Sequence, residues 1–258
     1  MQKKISKIRF SNIGSFCFKL SIILMPSILS LSIFLILISL IIRILETNPK
    51  EIIKDKWNLS LLFAFIYMIF SCLSSFNLLD DLITLNIQKE LFNNWSPFYS
   101  WIDLFNWVPM FLIFIYFQEY LSSYKKRKQI CKLFVIGSVP VLISGFLQIW
   151  FGVFGPFEFL NGLFLWYQRD GGDFNVFTAM FSNQNYAGTF LNIALPFGLA
   201  SLLEYKSYPL KRNLLIFFAL FISIAIFATF SRNASIGYFI SLTTLINAQS
   251  IIFYLSII

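Results

Sequence analysis

Apolar runs close to twenty residues long recur through this chain, and the short stretches between them carry nearly all of its charge. Wound as a helix, such a run crosses the roughly 30 Å hydrocarbon core of a bilayer. The pattern predicts an all-α fold, a polytopic transmembrane helical bundle, and it excludes a soluble domain. Composition agrees: of 258 residues 58% are hydrophobic and 12% charged, against about a quarter charged in ordinary soluble proteins.

Spans are expected at about 58–76, 105–121, 133–150, 186–203 and 213–230, with a further apolar run over about 234–258. The stretch 16–42 is too long for one minimal span and contains Pro26. Charge parity decides how to read it. Basic residues flank it on both sides, Lys3, Lys4, Lys7, Arg9 and Lys19 before it and Arg43 and Lys50 after it. A single crossing would place the cluster Lys125, Lys126, Arg127, Lys128 and Lys132 outside, against the tendency of basic loops to stay in the cytoplasm. A helical hairpin broken near Pro26 puts every basic flank inside, so a hairpin is expected. The count is then six to eight membrane segments. The boundaries are a basic cytoplasmic N-terminus at 1–15, N-terminal helices over 16–150, an extracytoplasmic loop over 151–185 and a second helical core over 186–258.

The net charge of +8, with 20 Lys and Arg against 12 Asp and Glu, would suggest nucleic acid in a soluble protein. Here it orients the chain in the membrane, and no nucleic-acid partner is expected. No histidine is present, which removes the commonest metal ligand and the commonest general base near neutral pH. Cys17, Cys72 and Cys131 show no metal-ligand spacing and read as small buried hydrophobes. Neither a metal nor a cofactor is expected.

Two constellations lie on the expected outer side. In the first, Arg169 precedes Asp170, Gly171, Gly172 and Asp173, and Phe181-Ser182-Asn183-Gln184-Asn185-Tyr186 follows at the start of the next helix. Arg169 offers a fork of donors suited to phosphate oxygens, and Asn183 and Asn185 can hydrogen-bond sugar hydroxyls. Either asparagine could equally be a helix N-cap. In the second, Arg232 stands between two apolar runs, within Thr229-Phe230-Ser231-Arg232-Asn233-Ala234. Such an arginine either snorkels to the membrane surface or projects into an anion site. Arg169 and Arg232 on one side make a paired-arginine site for a diphosphate, which needs no protein nucleophile. The loop between 151 and 185, broken by glycines and rich in Phe, Trp and Tyr, could cap a membrane pocket, or its aromatics could mark only the headgroup layer.

Together, Phe181-Ser182-Asn183-Gln184-Asn185-Tyr186-Ala187-Gly188, a helix ending in Leu195-Pro196-Phe197, and Thr229-Phe230-Ser231-Arg232-Asn233-Ala234-Ser235-Ile236-Gly237 resemble the O-antigen ligase and O-antigen polymerase superfamily. That superfamily includes a cyanobacterial branch once proposed to transport bicarbonate. The resemblance covers about 150–245; Asn233 departs from the small residue that usually follows Ser-Arg. It implies a metal-independent membrane glycosyltransferase with ten to twelve spans in the bacterial inner membrane, its active face extracytoplasmic. The donor would be a glycan on undecaprenyl diphosphate, and the acceptor lipid A-core or a growing glycan, in lipopolysaccharide or other surface polysaccharide synthesis. Arg169 and Arg232 would carry the catalysis, with Asp173, Asn183, Asn185, Tyr186 and Ser231 binding substrate and membrane lipids surrounding the whole. Ligases of this kind also carry a histidine-bearing outer loop beyond the last span seen here, so the chain is expected to be the N-terminal part of something longer. An O-antigen polymerase, a bicarbonate or small-solute transporter and a nonfunctional fragment are the competing expectations.

Overall fold

The computed structural model describes the backbone of residues 2–84, 97–170, 176–204 and 208–255, and the side chains of 12–50, 52–74, 98–170, 176–202 and 208–243. The chain is mostly helical. It divides into two units: Met1–Gly14 with Ile38–Ser122, and Ser15–Leu37 with Ser123–Ile258.

Helix α1 spans Gln2–Leu24 and α2 spans Leu29–Glu46, with a turn around Pro26 between them. Proline lacks the N–H that a continuing helix needs, and the chain reverses there. The Ser32 hydroxyl donates to the Ser21 carbonyl at 2.9 Å, and the Ser39 hydroxyl donates to the Gly14 carbonyl at 2.9 Å. Both pairs are symmetric about the Pro26–Ser27 bond, which is the register of an antiparallel helical hairpin. The expected hairpin is present.

The first unit continues with α3 (Pro49–Lys54), α4 (Lys56–Thr84), α5 (Pro97–Phe117) and a 3-10 turn over Gln118–Leu121. Asn48 caps α3 by accepting from Lys50 N at 3.1 Å, and Pro49 takes the first helical position, where its missing N–H costs nothing. Helix α4 reaches Thr84 and α5 starts at Pro97. Both extend beyond the spans expected at 58–76 and 105–121; residues 85–96 lie outside the described residues.

In the second unit α6 (Tyr124–Phe151) starts from Ser123, which accepts from Lys126 N, and stops at Gly152, whose φ of 61° suits a residue without a Cβ. A two-stranded antiparallel hairpin follows, β1 (Phe157–Phe159) with β2 (Phe164–Trp166), pairing Phe157 with Trp166 and Phe159 with Phe164. This hairpin corrects a purely helical expectation. Leu160, Asn161 and Gly162 all take positive φ at its turn, and the alternating aromatic strands are too short to register as a strand pattern. The Trp166 indole N–H donates to the Ser27 carbonyl at 2.8 Å, tying the hairpin to the α1–α2 turn.

Helices α7 (Gln184–Glu204), α8 (Pro209–Ala228) and α9 (Arg232–Leu255) complete the unit. Among the described residues five helical stretches are long and apolar enough to cross a membrane: Leu29–Glu46, Lys56–Ser74, Phe98–Leu121, Tyr124–Phe151 and Pro209–Ala228. Helix α7, the expected span at 186–203, forms but is not one of them. It packs against α6, α8 and α9 at once, and buries Ala187, Leu191, Ala194 and Leu195 in the core with Val141, Phe177, Ile222, Ala225 and Ile226. A helix enclosed by protein needs close fit more than continuous hydrophobicity. Its packed face accordingly carries Gly188, Asn192 and Gly198, while Asn185 and Thr189 are exposed near its start.

Candidate functional site

The first turns of α7 and α9 lie side by side. A Cβ built on Gly188 would fall 2.5 Å from the Ala234 Cβ and 3.3 Å from the Thr229 hydroxyl. Contact this close requires glycine. One turn deeper, the Asn192 amide donates to the Ala234 carbonyl at 2.8 Å, holding the two helices in register.

Each start is capped by its own sequence. The Asn183 side chain accepts from Asn185 N at 2.7 Å and Tyr186 N at 3.2 Å. The Ser231 hydroxyl accepts from Ala234 N at 3.3 Å. Between α8 and α9 the buried Thr229 hydroxyl donates to Ile226 O and accepts from Ser231 N, while Phe230 takes a φ of 51°. This tight corner sets Arg232 at the first position of α9, exposed. Two helix N-termini pointing the same way concentrate partial positive charge at one end of the unit, and Arg232 adds a full one.

Arg169 comes to the same end through a network of buried amides. Gln148, 1% exposed on the last turn of α6, uses its oxygen to accept from Thr178 N and Ala179 N, both at 3.0 Å. Its NH₂ donates to the Arg169 carbonyl and to the Thr178 hydroxyl. One turn earlier, Ser144 donates to the Gln168 side chain at 2.7 Å, and the Gln168 amide donates to Val153 O at 2.7 Å. Phe177 N then donates to Ala228 O at 2.9 Å, joining this segment to the last turn of α8. A single side chain thus fixes both the Arg169 backbone and the turn that leads to Asn183. Gln168 and Ala179 hold positive φ within it, conformations that non-glycine residues keep only when their surroundings impose them. The Arg169 side chain is exposed.

Arg169, Asn183, Asn185, Tyr186, Ser231 and Arg232 are therefore carried by elements that meet at one end of the second unit. Asn185 and Tyr186 are exposed there, and Ser231 is buried in its capping role. Asp173, with Gly171 and Gly172, lies outside the described residues. Gln148, Gln168 and Thr178 are the members that sequence reasoning missed. A glutamine 20 to 30 residues from its partners, at the end of an apolar run, gives no periodic signal.

Below the site, α6 and α8 bound an apolar groove of about 430 Å³ lined by Phe146, Leu147, Trp150, Phe151, Leu214 and Phe221 among others. Among the described residues no three His, Cys, Asp or Glu side chains lie together as a metal-holding group. No protein-family model, no curated protein and no solved structure matches the chain.

Proposed function

We propose that this is an O-antigen ligase-like protein of the bacterial inner membrane that binds a polyprenyl diphosphate-linked glycan at the end of the second unit where α7 and α9 begin. The observation that carries the reading is the pairing of two capped helix N-termini, with Arg232 on one of them and Arg169 anchored to the same end by Gln148. Parallel N-termini favour an anion, and guanidinium groups add paired donors for phosphate oxygens. The apolar groove between α6 and α8 offers a lane for the polyprenyl tail. With the α1–α2 hairpin, α7 and α9 joining the apolar helices, six to eight segments cross the bilayer, and the site faces the extracytoplasmic side.

In transfer, an acceptor sugar hydroxyl attacks the donor's anomeric carbon and loses its proton to solvent. The bond from that carbon to the diphosphate oxygen breaks, and the diphosphate leaves with the electron pair. Charge accumulates on the leaving group, where Arg169 and Arg232 stabilise it. The exposed Asn183, Asn185 and Tyr186 line the sugar side in this reading, and Ser231 acts through the cap that sets Arg232.

The test is binding of undecaprenyl diphosphate to the purified chain in nanodiscs, with undecaprenyl monophosphate for comparison. A hydrogen-bonded charge contact is worth about 1.5–3 kcal/mol, so Arg232→Ala and Arg169→Ala are each expected to weaken diphosphate binding by roughly tenfold to a hundredfold. Unchanged affinity in both variants would remove the site assignment.

A further inference from the structure

Helices α6 and α8 run in the same direction and finish at the helix starts described above. Gln148 on the last turn of α6 holds Arg169, and Ala228 O at the end of α8 accepts from Phe177 N. Their own first turns therefore lie at the opposite end of the second unit. That end is strongly basic. Lys125, Lys126, Arg127, Lys128 and Lys132 open α6, Lys211 and Arg212 open α8, and neither first turn holds an acidic residue.

The acidic residues nearest to these in sequence are Glu119, six residues before Lys125, and Glu204, seven before Lys211. With both carboxylates engaged, five of the seven cations remain in excess. The charges also stand at helix N-termini, where the backbone dipole favours an anion. Such an arrangement is stabilised by negative charge from outside the chain.

The same two helices bound the apolar groove of about 430 Å³, lined on α6 by Val139, Leu142, Phe146 and Trp150 and on α8 by Leu214 and Phe221 among others. The rings of Phe146 and Phe221, with centres 5.3 Å apart, set the register between the helices. Ten residues back along each, Ile136 is level with Lys211, and Lys132 lies about one turn beyond. Residues three, four and seven apart share a helix face. Lys132 stands seven residues before Val139, Lys128 four before Lys132, and Lys211 three before Leu214. Past the end of the groove, the faces that wall it thus continue as lysines. Lys128 and Lys132 are half-buried, as lysine stems are when they lie along an apolar face and carry their ammonium to its edge.

An apolar trough that opens towards cations is complementary to an amphiphile with an anionic head. A soluble anion leaves the trough unused, and a zwitterionic lipid brings a cation of its own to the lysines. We propose that an anionic phospholipid binds here, its phosphodiester at Lys132 and Lys211 and one acyl chain in the end of the groove formed by Val139 and Leu214. The site lies at the far end of α6 from Arg169 and does not rest on the diphosphate reading.

Native mass spectrometry tests it on the full chain released from nanodiscs of equal phosphatidylglycerol, phosphatidylethanolamine and phosphatidylcholine, with no polyprenyl lipid present. Phosphatidylglycerol is expected to be retained at least tenfold over either zwitterionic lipid. Lys211→Gln, at an exposed position where folding is not at stake, is expected to reduce that preference severalfold. Lys132→Gln combined with Lys211→Gln is expected to reduce it by roughly tenfold or more, and arginine at both positions to keep it. Val139→Phe, at a position 41% exposed, narrows the groove without changing charge and is expected to reduce retention severalfold. Lys54→Gln, which removes an exposed lysine of α3, is expected to change nothing. Equal retention of the three lipids overturns the proposal, as does a preference that survives the double glutamine variant or Val139→Phe. A preference lowered as far by Lys54→Gln as by Lys211→Gln also overturns it, because general basicity then accounts for the binding.

Discussion

Gly188 of α7 and Ala234 of α9 pack so closely that a Cβ on the glycine would stand 2.5 Å from the alanine's. The contact joins two helix starts, Asn183 and Ser231 capping them a turn away. Overpacking a well-fitted contact costs about 1–3 kcal/mol. Gly188→Ala is expected to lower stability by that amount and to weaken diphosphate binding. The exchange Gly188→Ala with Ala234→Gly is expected to recover most of both, because neighbouring residues couple. Thermal unfolding of the four proteins in one detergent measures the coupling; simple additivity would show that the contact does not set the spacing.

Gln148→Leu keeps the volume of the side chain and removes its hydrogen bonds to Thr178, Ala179 and Arg169. Each buried group left unpaired costs about 1–3 kcal/mol, so a loss of roughly 2–5 kcal/mol is expected. Protease cleavage between 152 and 183 is expected to quicken in parallel, since the segment loses its tie to α6. Gln148→Glu is expected to be only partly tolerated: it still accepts from the two backbone N–H groups but can no longer donate to Arg169. A segment as resistant as before in the leucine variant would mean that Gln168 holds it alone.

Asn183 can be tested for its two possible jobs separately. Aspartate caps a helix as well as asparagine and adds favourable charge at the N-terminus, but its charge repels a phosphate. Asn183→Asp is expected to preserve Tm and weaken diphosphate binding, whereas Asn183→Ala is expected to cost about 1 kcal/mol of stability. Circular-dichroism melts paired with binding curves distinguish the cases. Full binding by the aspartate variant would leave Asn183 a capping residue only.

Orientation is testable by labelling. In a background where Cys17, Cys72 and Cys131 are alanine, Asn161→Cys at the exposed tip of the β-hairpin is expected to react with an impermeant maleimide added to intact cells with a permeabilised outer membrane. Lys126→Cys is expected to react only after the inner membrane is opened. The opposite pattern would put the helix starts in the cytoplasm and rule out transfer at the outer face.

Much of the helical layout was legible because its signals are local. Pro26 breaks a long apolar stretch, Ser123 and Asn48 are capping residues followed by helix, and Gly152 ends α6. What was illegible depends on partners distant along the chain. Gln148 and Thr178 are 30 residues apart, and nothing in either neighbourhood announces the other. Arg43 read as a basic flank, although Glu46 one turn later engages it at 3.2 Å. The β-hairpin was hidden because three-residue strands of mixed aromatic residues resemble an interfacial loop. For the candidate site, the arginines and asparagines could be named from sequence, while the means of bringing Arg169 to the helix starts could not.

The bond from the Trp166 indole to the Ser27 carbonyl spans 139 residues. During synthesis the turn at Pro26 is made long before its partner, so that carbonyl must meanwhile be satisfied by water at the surface of the bilayer. It can be reached later only if the translocation machinery delivers residues 151–170 to that same surface. Ser27 and Trp166 must therefore share one side of any membrane the chain spans, which requires an even number of crossings between them.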